Sequence, residues 1–412
     1  MAKHFDALET RSPEVREAAL FTALRDQIVH AKTNAPYFTR ALRDIDPRAV
    51  TTRVKLAELP VTRKSEVMKL QREAPPFGGL TAIPVHRVAN IYQSPGPLYE
   101  PKGFGLDYWR FARAMFAAGL RLGDIVHNTF SYHLTPAGAM VESGAHALGC
   151  AVIAAGTGNT ELQAQLVAEV KPTAYVGTPS FLKILIEKMR ELGLSSASMK
   201  KGLVSGEALP PPLRAALKDL GVAVYQCYAT ADLGLIAYES DAMEGLIVDE
   251  GVIVELVEPG GTKPVAEGEV GEVVVTTFTK EYPLIRFGTG DLSAYLPGPS
   301  PCGRTNARLR GWLGRADQST KVRGMFVHPS QIMAVLGRHP EIKKGRLVVT
   351  QQADGRDQMT LHCETEGGNE ALAAAIATTI QSVAKLRGEV VFAAPGSLAA
   401  DGKLIDDQRK LT

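Results

Sequence analysis

Residues 150–192 read CAVIAAGTGNTELQAQLVAEVKPTAYVGTPSFLKILIEKMREL, and the spacing of their apolar side chains changes period from one segment to the next. CAVIAAG (150–156) is a short apolar run closed by glycine, which predicts a buried strand. TELQAQLVAEV (160–170) spaces its apolar residues for a helix, TAYVGTP (173–179) returns to strand, and SFLKILIEKMREL (180–192) is a second helix with Ser180 placed to cap it. Upstream, DYWRFARAMFAAGL (107–120) adds a helix through Trp109, Ala112, Met115 and Phe116. Strands alternating with helices in this way call for a parallel sheet with crossover helices, an α/β fold.

The character changes near residue 246. LIVDEGVIVELVEP and EVGEVVVTTF are strand-rich and separated by GGTKPVAEG, a hairpin-like or barrel-like segment. After GWLGRADQ a third region begins, in which GRLVVTQQADGRDQMTLHCE predicts two strands joined at Asp354-Gly355. A helix carrying Leu372, Ile376, Ile380 and Val383 on one face follows, and then a last strand, GEVVFAA. This is a small α+β domain.

At 412 residues the chain is too long for one ordinary core. With 45% hydrophobic and 22% charged residues it has the composition of a soluble globular protein, and 46 basic against 44 acidic residues give no net field to attract nucleic acid or an anionic membrane. Cys150, Cys227, Cys302 and Cys363 form no CxxC pair, which argues against a disulfide framework and fits a reducing cytoplasm. No signal peptide and no run of about 18 apolar residues is present.

One loop poses a chemical question. SPGPLYEPKG (94–103) has the frame of a phosphate-cradling loop, but Pro95, Pro97 and Pro101 donate no backbone hydrogen, and a proline-stiffened turn would look the same.

Several strings along nearly the whole chain resemble the acyl-adenylate-forming enzymes, and within them the phenylacetate-CoA ligase branch. In chain order these include LPVTRKSEV, PPFGGLTAIPVHRVANIYQS, GDIVHNTFSYHLTPAG, GTPSFL, VSGEAL, CYATADLG, YPLIRFGTGDL, GRADQSTKVRGMFVHPSQI and PGSLAADGKLIDDQRK. Each is weak alone; their shared order is the signal. The resemblance implies an N-terminal AMP-binding adenylation domain over 1–314, made of αβ sheet subdomains plus a small β-barrel, and a mobile C-terminal α+β lid over 315–412. It also implies an ATP-dependent acid–CoA ligase that uses magnesium and coenzyme A, with a small aryl or similar carboxylic acid as substrate. A homodimer follows too, since that family often dimerises.

Roles follow position by position from the resemblance. Asp291 in GTGDL matches the ribose-binding aspartate, although an Asp after Gly is also a common turn former. Ser205, Gly206 and Glu207 match the loop beside adenine, and Tyr228 the aromatic that stacks on the base, or else a core residue. Asp232 stands where an acidic residue holds magnesium; it is shorter than the usual Glu, and Ala231 replaces a hydroxyl residue. Ser94, Gly96 and Lys102 keep the frame of the phosphate loop, while Pro95, Pro97, Leu98 and Tyr99 replace its hydroxyl and glycine positions. Asp317 matches the hinge and Arg315 a neighbouring nucleotide contact; Lys403 matches the lysine used in adenylation, and Lys321 and Arg323 match contacts to coenzyme A phosphates. Tyr132 and His133 fall where the branch builds its acid pocket.

Some enzymes of the branch carry a structural zinc. Ser240, Ile247 and Ser300 stand where its ligands are expected, leaving only Cys302, so no zinc is expected here. The altered loop also leaves open a second class, a non-ligating homologue that binds a nucleotide or acyl-CoA.

Overall fold

The computed structural model describes residues 3–94, 97–313, 315–316, 320–327, 329–352, 355–400 and 403–409. Pro95, Gly96, Asp317 and Asp354 lie outside them. The chain divides into two compact units, Met1–Leu313 and Gly314–Thr412.

The larger unit is built on a nine-stranded sheet. Five strands run parallel in the spatial order Ala223–Thr230, Lys201–Val204, Ala174–Gly177, Ile125–Asn128, Ala151–Ala154. Four antiparallel strands continue beyond Ala223–Thr230: Gly234–Tyr238, Leu246–Val248, Arg308–Leu309 and Tyr295–Leu296. From Ile125–Asn128 the chain steps outward to Ala151–Ala154 and then crosses back to Ala174–Gly177. The order therefore reverses between Ile125–Asn128 and Ala174–Gly177, which opens a crevice at their carboxyl ends, the place where open α/β sheets bind ligands.

The alternation read in 150–192 has a simple physical basis. Thr160–Val170 is the first crossover helix, burying Gln163, Ala164 and Val167. The second, Pro179–Glu191, buries Leu182, Leu185, Ile186 and Met189 at helical spacing. Its cap is Thr178, not Ser180: Thr178 accepts from the Phe181 N–H and Pro179 occupies the first turn, where its missing donor costs nothing. Ala151–Ala154 is an edge strand with Ala151 and Ala154 exposed, because no strand lies beyond it; its apolar run alone had implied burial. The helix sought over 107–120 shrinks to Phe111–Ala117. Asp107 accepts from the Ala112 N–H at 3.2 Å and Arg110 takes a left-handed φ of 66°, so the buried Trp109 sits in the turn before the helix.

A second sheet of four strands, in the order Thr62–Arg63, Phe287–Ser293, Gly271–Thr277, Val252–Val257, comes mostly from the strand-rich stretch after residue 246. Leu246–Val248 leaves that group for the large sheet. Arg286, fully buried, enters the second sheet with its guanidinium 3.0 Å from Glu255 Oε2, and donates to the carbonyls of Ala57 and Thr262 at 2.8 Å and to that of Leu59.

The smaller unit pairs Thr320–Val322 with Met325–Val327, and packs helix Glu370–Ala384 on a four-stranded sheet ordered Glu389–Ala393, Asp357–Glu364, Lys344–Gln351, Ile405–Asp407. Leu347, Val349, Leu361, Ile376 and Ile380 form its core. No helix among the described residues is long and apolar enough to cross a membrane.

Replacing Arg286 by Met strands the Glu255 carboxylate in the core and is expected to cost about 3–5 kcal/mol, measured by urea unfolding. Adding Glu255→Leu to Arg286→Met should recover most of that loss, which a role for Arg286 limited to its carbonyl contacts would not allow.

Candidate functional site

At the carboxyl ends of the parallel strands, short side chains fold the connecting loops onto one another. The Asn128 amide donates to the Tyr132 hydroxyl at 2.7 Å and to the Gly138 carbonyl at 2.9 Å, drawing the loop 129–138 back over its own strand. Gly177 has to be glycine, because a Cβ there would collide with Thr129 Oγ1 and the Tyr175 hydroxyl, which are themselves hydrogen bonded at 2.8 Å. One strand further on, the Ser205 hydroxyl donates to the Cys227 carbonyl at 2.8 Å, and Gly206 turns the chain at φ 83°. Glu207 accepts from the Ser180 hydroxyl at 2.5 Å. Ser205, Gly206 and Glu207 thus form one loop tied to the strand that carries Tyr228.

Tyr228 and Asp291 come together. The Tyr228 hydroxyl donates to Asp291 Oδ2 at 2.8 Å, and the indole Nε1 of Trp312 donates to Oδ1 at 3.0 Å. The Asp291 N–H donates to Thr289 Oγ1 at 3.0 Å. Asp291 is buried, so both carboxylate oxygens are held in fixed directions in a poorly hydrated place. Trp312 was not among the expected site residues. It lies in the string GWLGRADQ, but a lone Trp cannot be told from a packing residue in sequence.

The loop 94–103 is largely a β-hairpin. Asn90–Ser94 pairs with Leu98–Lys102, with Ser94 opposite Leu98. Leu98 and Glu100 point inward and Tyr99 outward, and Gln71 clamps Tyr99 by accepting from its N–H at 2.9 Å and donating to its carbonyl at 2.8 Å. Ser94 is buried and gives its hydroxyl to Glu100 Oε1 at 2.5 Å. The Lys102 ammonium lies 5.7 Å from the centre of the Trp109 ring.

Asp232, in the turn after Ala223–Thr230, lies on the same side. Its Oδ2 is 2.8 Å from Lys64 Nζ, and its side chain is 1% exposed. Burial, together with the charge of Asp232, pushes the Glu100 carboxyl well above the usual carboxylate range, against the opposing effects of Ser94 and Lys64. Glu100 and Lys64 were also missed. Both sat in strings quoted for other reasons, and a single charged residue in a loop or at a helix start reads as solvated.

A cavity of about 460 Å³ beside the hairpin is lined by Asn90, Tyr92, Lys102, Tyr132, Glu142 and His146, among others. Burial and Glu142 push the Tyr132 phenol up. His133 is exposed and does not line this cavity.

In the smaller unit, Arg315 and Lys321 are half-buried. Arg323 is exposed; its N–H donates to Asp357 Oδ2 at 2.9 Å and its Nε to the Asp357 carbonyl at 3.1 Å. Lys403 is exposed, and the next residue, Leu404, is fixed by its carbonyl accepting from the Leu347 N–H at 2.9 Å. Near Cys302, Ser300 Oγ lies 3.1 Å from the sulfur and the Arg304 guanidinium 3.6 Å. Burial raises that thiol, but hydrogen bonds with Ser240, Ser300 and Arg304 bring it below its ordinary value. Among the described residues, no group of three or more His, Cys, Asp or Glu side chains is placed to hold a metal ion.

Comparison with known proteins adds to this geometry. Residues 101–279 match the AMP-binding enzyme family. The chain is 31% identical over 374 residues to the phenylacetate-coenzyme A ligase of Thermus thermophilus, covering 87% of this chain and 83% of that one. It is 32% identical over 348 residues to the phenylacetate-coenzyme A ligase of Escherichia coli, covering 79% and 77%. In fold it is similar to 2-hydroxyisobutyryl-CoA ligase in complex with 2-HIB-AMP and CoA, with a TM-score of 0.88 and 24% identity over 99% of this chain and 93% of that one.

Asp291→Asn keeps the shape of the side chain but removes its charge. Hydrogen bonds to charged groups contribute about 1.5–3 kcal/mol, so AMP affinity should fall by about 10- to 100-fold in calorimetry. Trp312→Phe, which only loosens the carboxylate, should cost less than Asp291→Asn.

Proposed function

The chain belongs to the phenylacetate-CoA ligase family of AMP-binding enzymes, and from that premise we propose that it joins a small carboxylic acid to coenzyme A through an acyl-adenylate. The acid carboxylate attacks the α-phosphate of ATP and pyrophosphate leaves; the thiol of coenzyme A then attacks the acyl carbon, and AMP leaves with the bonding pair. The observation that carries the nucleotide part is the Asp291 carboxylate, aligned by Tyr228 and Trp312. A carboxylate so held accepts hydrogen bonds from both hydroxyls of a ribose, and a fixed geometry spends no free energy on reorganisation. Tyr228 supplies a ring for the adenine to stack on, and the loop Ser205–Glu207 borders it.

Asp232 is an oxygen ligand suited to a hard cation, and its buried carboxylate next to Lys64 fits that use. Magnesium bound there neutralises charge on the phosphate oxygens. Lys403 serves as the flexible cation of the adenylation step, Lys321 and Arg323 as contacts to coenzyme A phosphates, Arg315 as a nucleotide contact, and Asp317 as the hinge between the two half-reactions. Ser94, Gly96 and Lys102 are the phosphate contacts of the segment 94–103. The acid sits beside Tyr132, in the cavity it shares with Tyr92 and Lys102. Aryl acids and others of similar size suit such a lining. A homodimeric state and residence in the cytoplasm rest on the family likeness and not on geometry.

Adenylation is slow by this reading. The prolines of the hairpin donate no N–H, and the buried Ser94 hydroxyl is spent on Glu100. Pyrophosphate release with ATP, coenzyme A and a panel of aryl and alkyl acids tests the activity: no release with any acid sinks the ligase reading, and brisk turnover sinks the claim of slowness.

Lys403→Ala should lower acyl-adenylate formation by at least about 100-fold, the scale of one lost transition-state contact. Thioester formation from a supplied acyl-adenylate should be spared. Equal loss in both half-reactions would remove Lys403 from this role.

A further inference from the structure

The hairpin brings a carboxylate into a segment whose Pro97 and Pro101 have no N–H to donate. Glu100 is 2% exposed, with Oε1 accepting from the Ser94 hydroxyl and Oε2 buried without a hydrogen-bond partner among the described residues. The charges of Asp232 and Lys64 both act on Glu100, and Lys64 begins the helix whose Gln71 clamps the neighbouring Tyr99, with its Nζ 2.8 Å from Asp232 Oδ2. Tyr282, fully enclosed, feels both carboxylates as well. Two buried carboxylates with one ammonium leave the cluster a positive charge short when both are ionised, and an unpaired buried charge is costly.

We propose that Glu100 and Asp232 together hold a divalent cation, and that Lys64 occupies the cation's place until it binds. The inference rests on the magnesium reading of Asp232 and adds a second ligand from the hairpin. Oxygen ligands suit such an ion, and a magnesium ion taking one or two carboxylates completes its shell with water and substrate phosphate. A divalent ion neutralises both carboxylates. Lys64, on a flexible stem with its side chain 29% exposed, is then released toward solvent or toward a phosphate. The hairpin thereby holds the phosphates through a metal, where a loop rich in N–H groups and hydroxyls would hold them directly. Glu100 is for this reason more than a brace for Ser94.

The test uses the full chain and Mn²⁺ alone, with binding followed by electron paramagnetic resonance and by the rise in melting temperature. Glu100→Gln and Asp232→Asn should each weaken Mn²⁺ binding by tenfold or more. Lys64→Met should tighten it several-fold, a gain that no purely structural role for the lysine produces. If Glu100→Gln binds Mn²⁺ like the wild type while Asp232→Asn does not, Glu100 is only a hairpin brace and the magnesium reading of Asp232 survives. If Asp232→Asn also binds normally, or the wild type binds no Mn²⁺, both readings fall. Should Glu100→Gln not fold, Lys64→Met decides: unchanged or weaker Mn²⁺ binding overturns the proposal.

Discussion

The hydrogen bond from the Tyr228 hydroxyl to Asp291 joins the two sheets of the larger unit, and the architecture of the site follows from it. Tyr228 belongs to the parallel sheet and Asp291 to the four-stranded one. A buried carboxylate cannot stand without partners, so the sheets must meet where an aromatic donor from one reaches it and a second donor, Trp312, arrives from the segment that ends the unit. Thr289 is fixed by the same arrangement, donating to the Val273 carbonyl while accepting from the Asp291 N–H. One carboxylate thus ties together three segments far apart in sequence, the strand of Tyr228, the strand of Thr289 and Asp291, and the segment of Trp312.

That economy explains which parts of the fold and site the sequence disclosed. The helices Thr160–Val170 and Pro179–Glu191 were legible because a crossover helix must bury one stripe against a sheet, and the stripe is written at a fixed period. The edge position of Ala151–Ala154 was not, since CAVIAAG has the same apolar run whether or not a strand lies beyond it. Asp291, Tyr228 and Asp232 were recognisable as residue types in ordered strings. Trp312, Glu100 and Lys64 were not, because each acts through a partner distant in sequence: Trp312 on Asp291, Glu100 beside Asp232, Lys64 across to the turn after Tyr228. Local periodicity carries no record of such pairings.

The loop 94–103 shows the same limit from the other side. Its prolines read as damage when counted as lost donors. In the fold, Pro97 precedes and Pro101 lies within a strand whose alternation buries Leu98 and Glu100, while Gln71 satisfies the outward residue Tyr99 at both its N–H and carbonyl. Pairing replaces the hydrogen bonds that an open loop would have left to a ligand. What is lost in donors is therefore gained in rigidity.

A similar exchange is visible around Cys302. Glu9, buried at the start of the chain, accepts from the Tyr238 hydroxyl at 2.9 Å and lies 3.0 Å from the Arg304 guanidinium, which also reaches the Cys302 sulfur. Arg113 extends the network to Asp6 and Asp249. The N-terminal segment, the helix Phe111–Ala117 and the end of the large sheet are thus cross-linked by ion pairs whose charges neutralise one another out of water. Such a network is costly to break at any single member but needs no further ligand, since every carboxylate in it already faces a guanidinium. The Glu100–Asp232 pair differs on that count: Asp232 meets Lys64 at 2.8 Å, while Glu100 keeps one buried oxygen without a hydrogen-bond partner among the described residues.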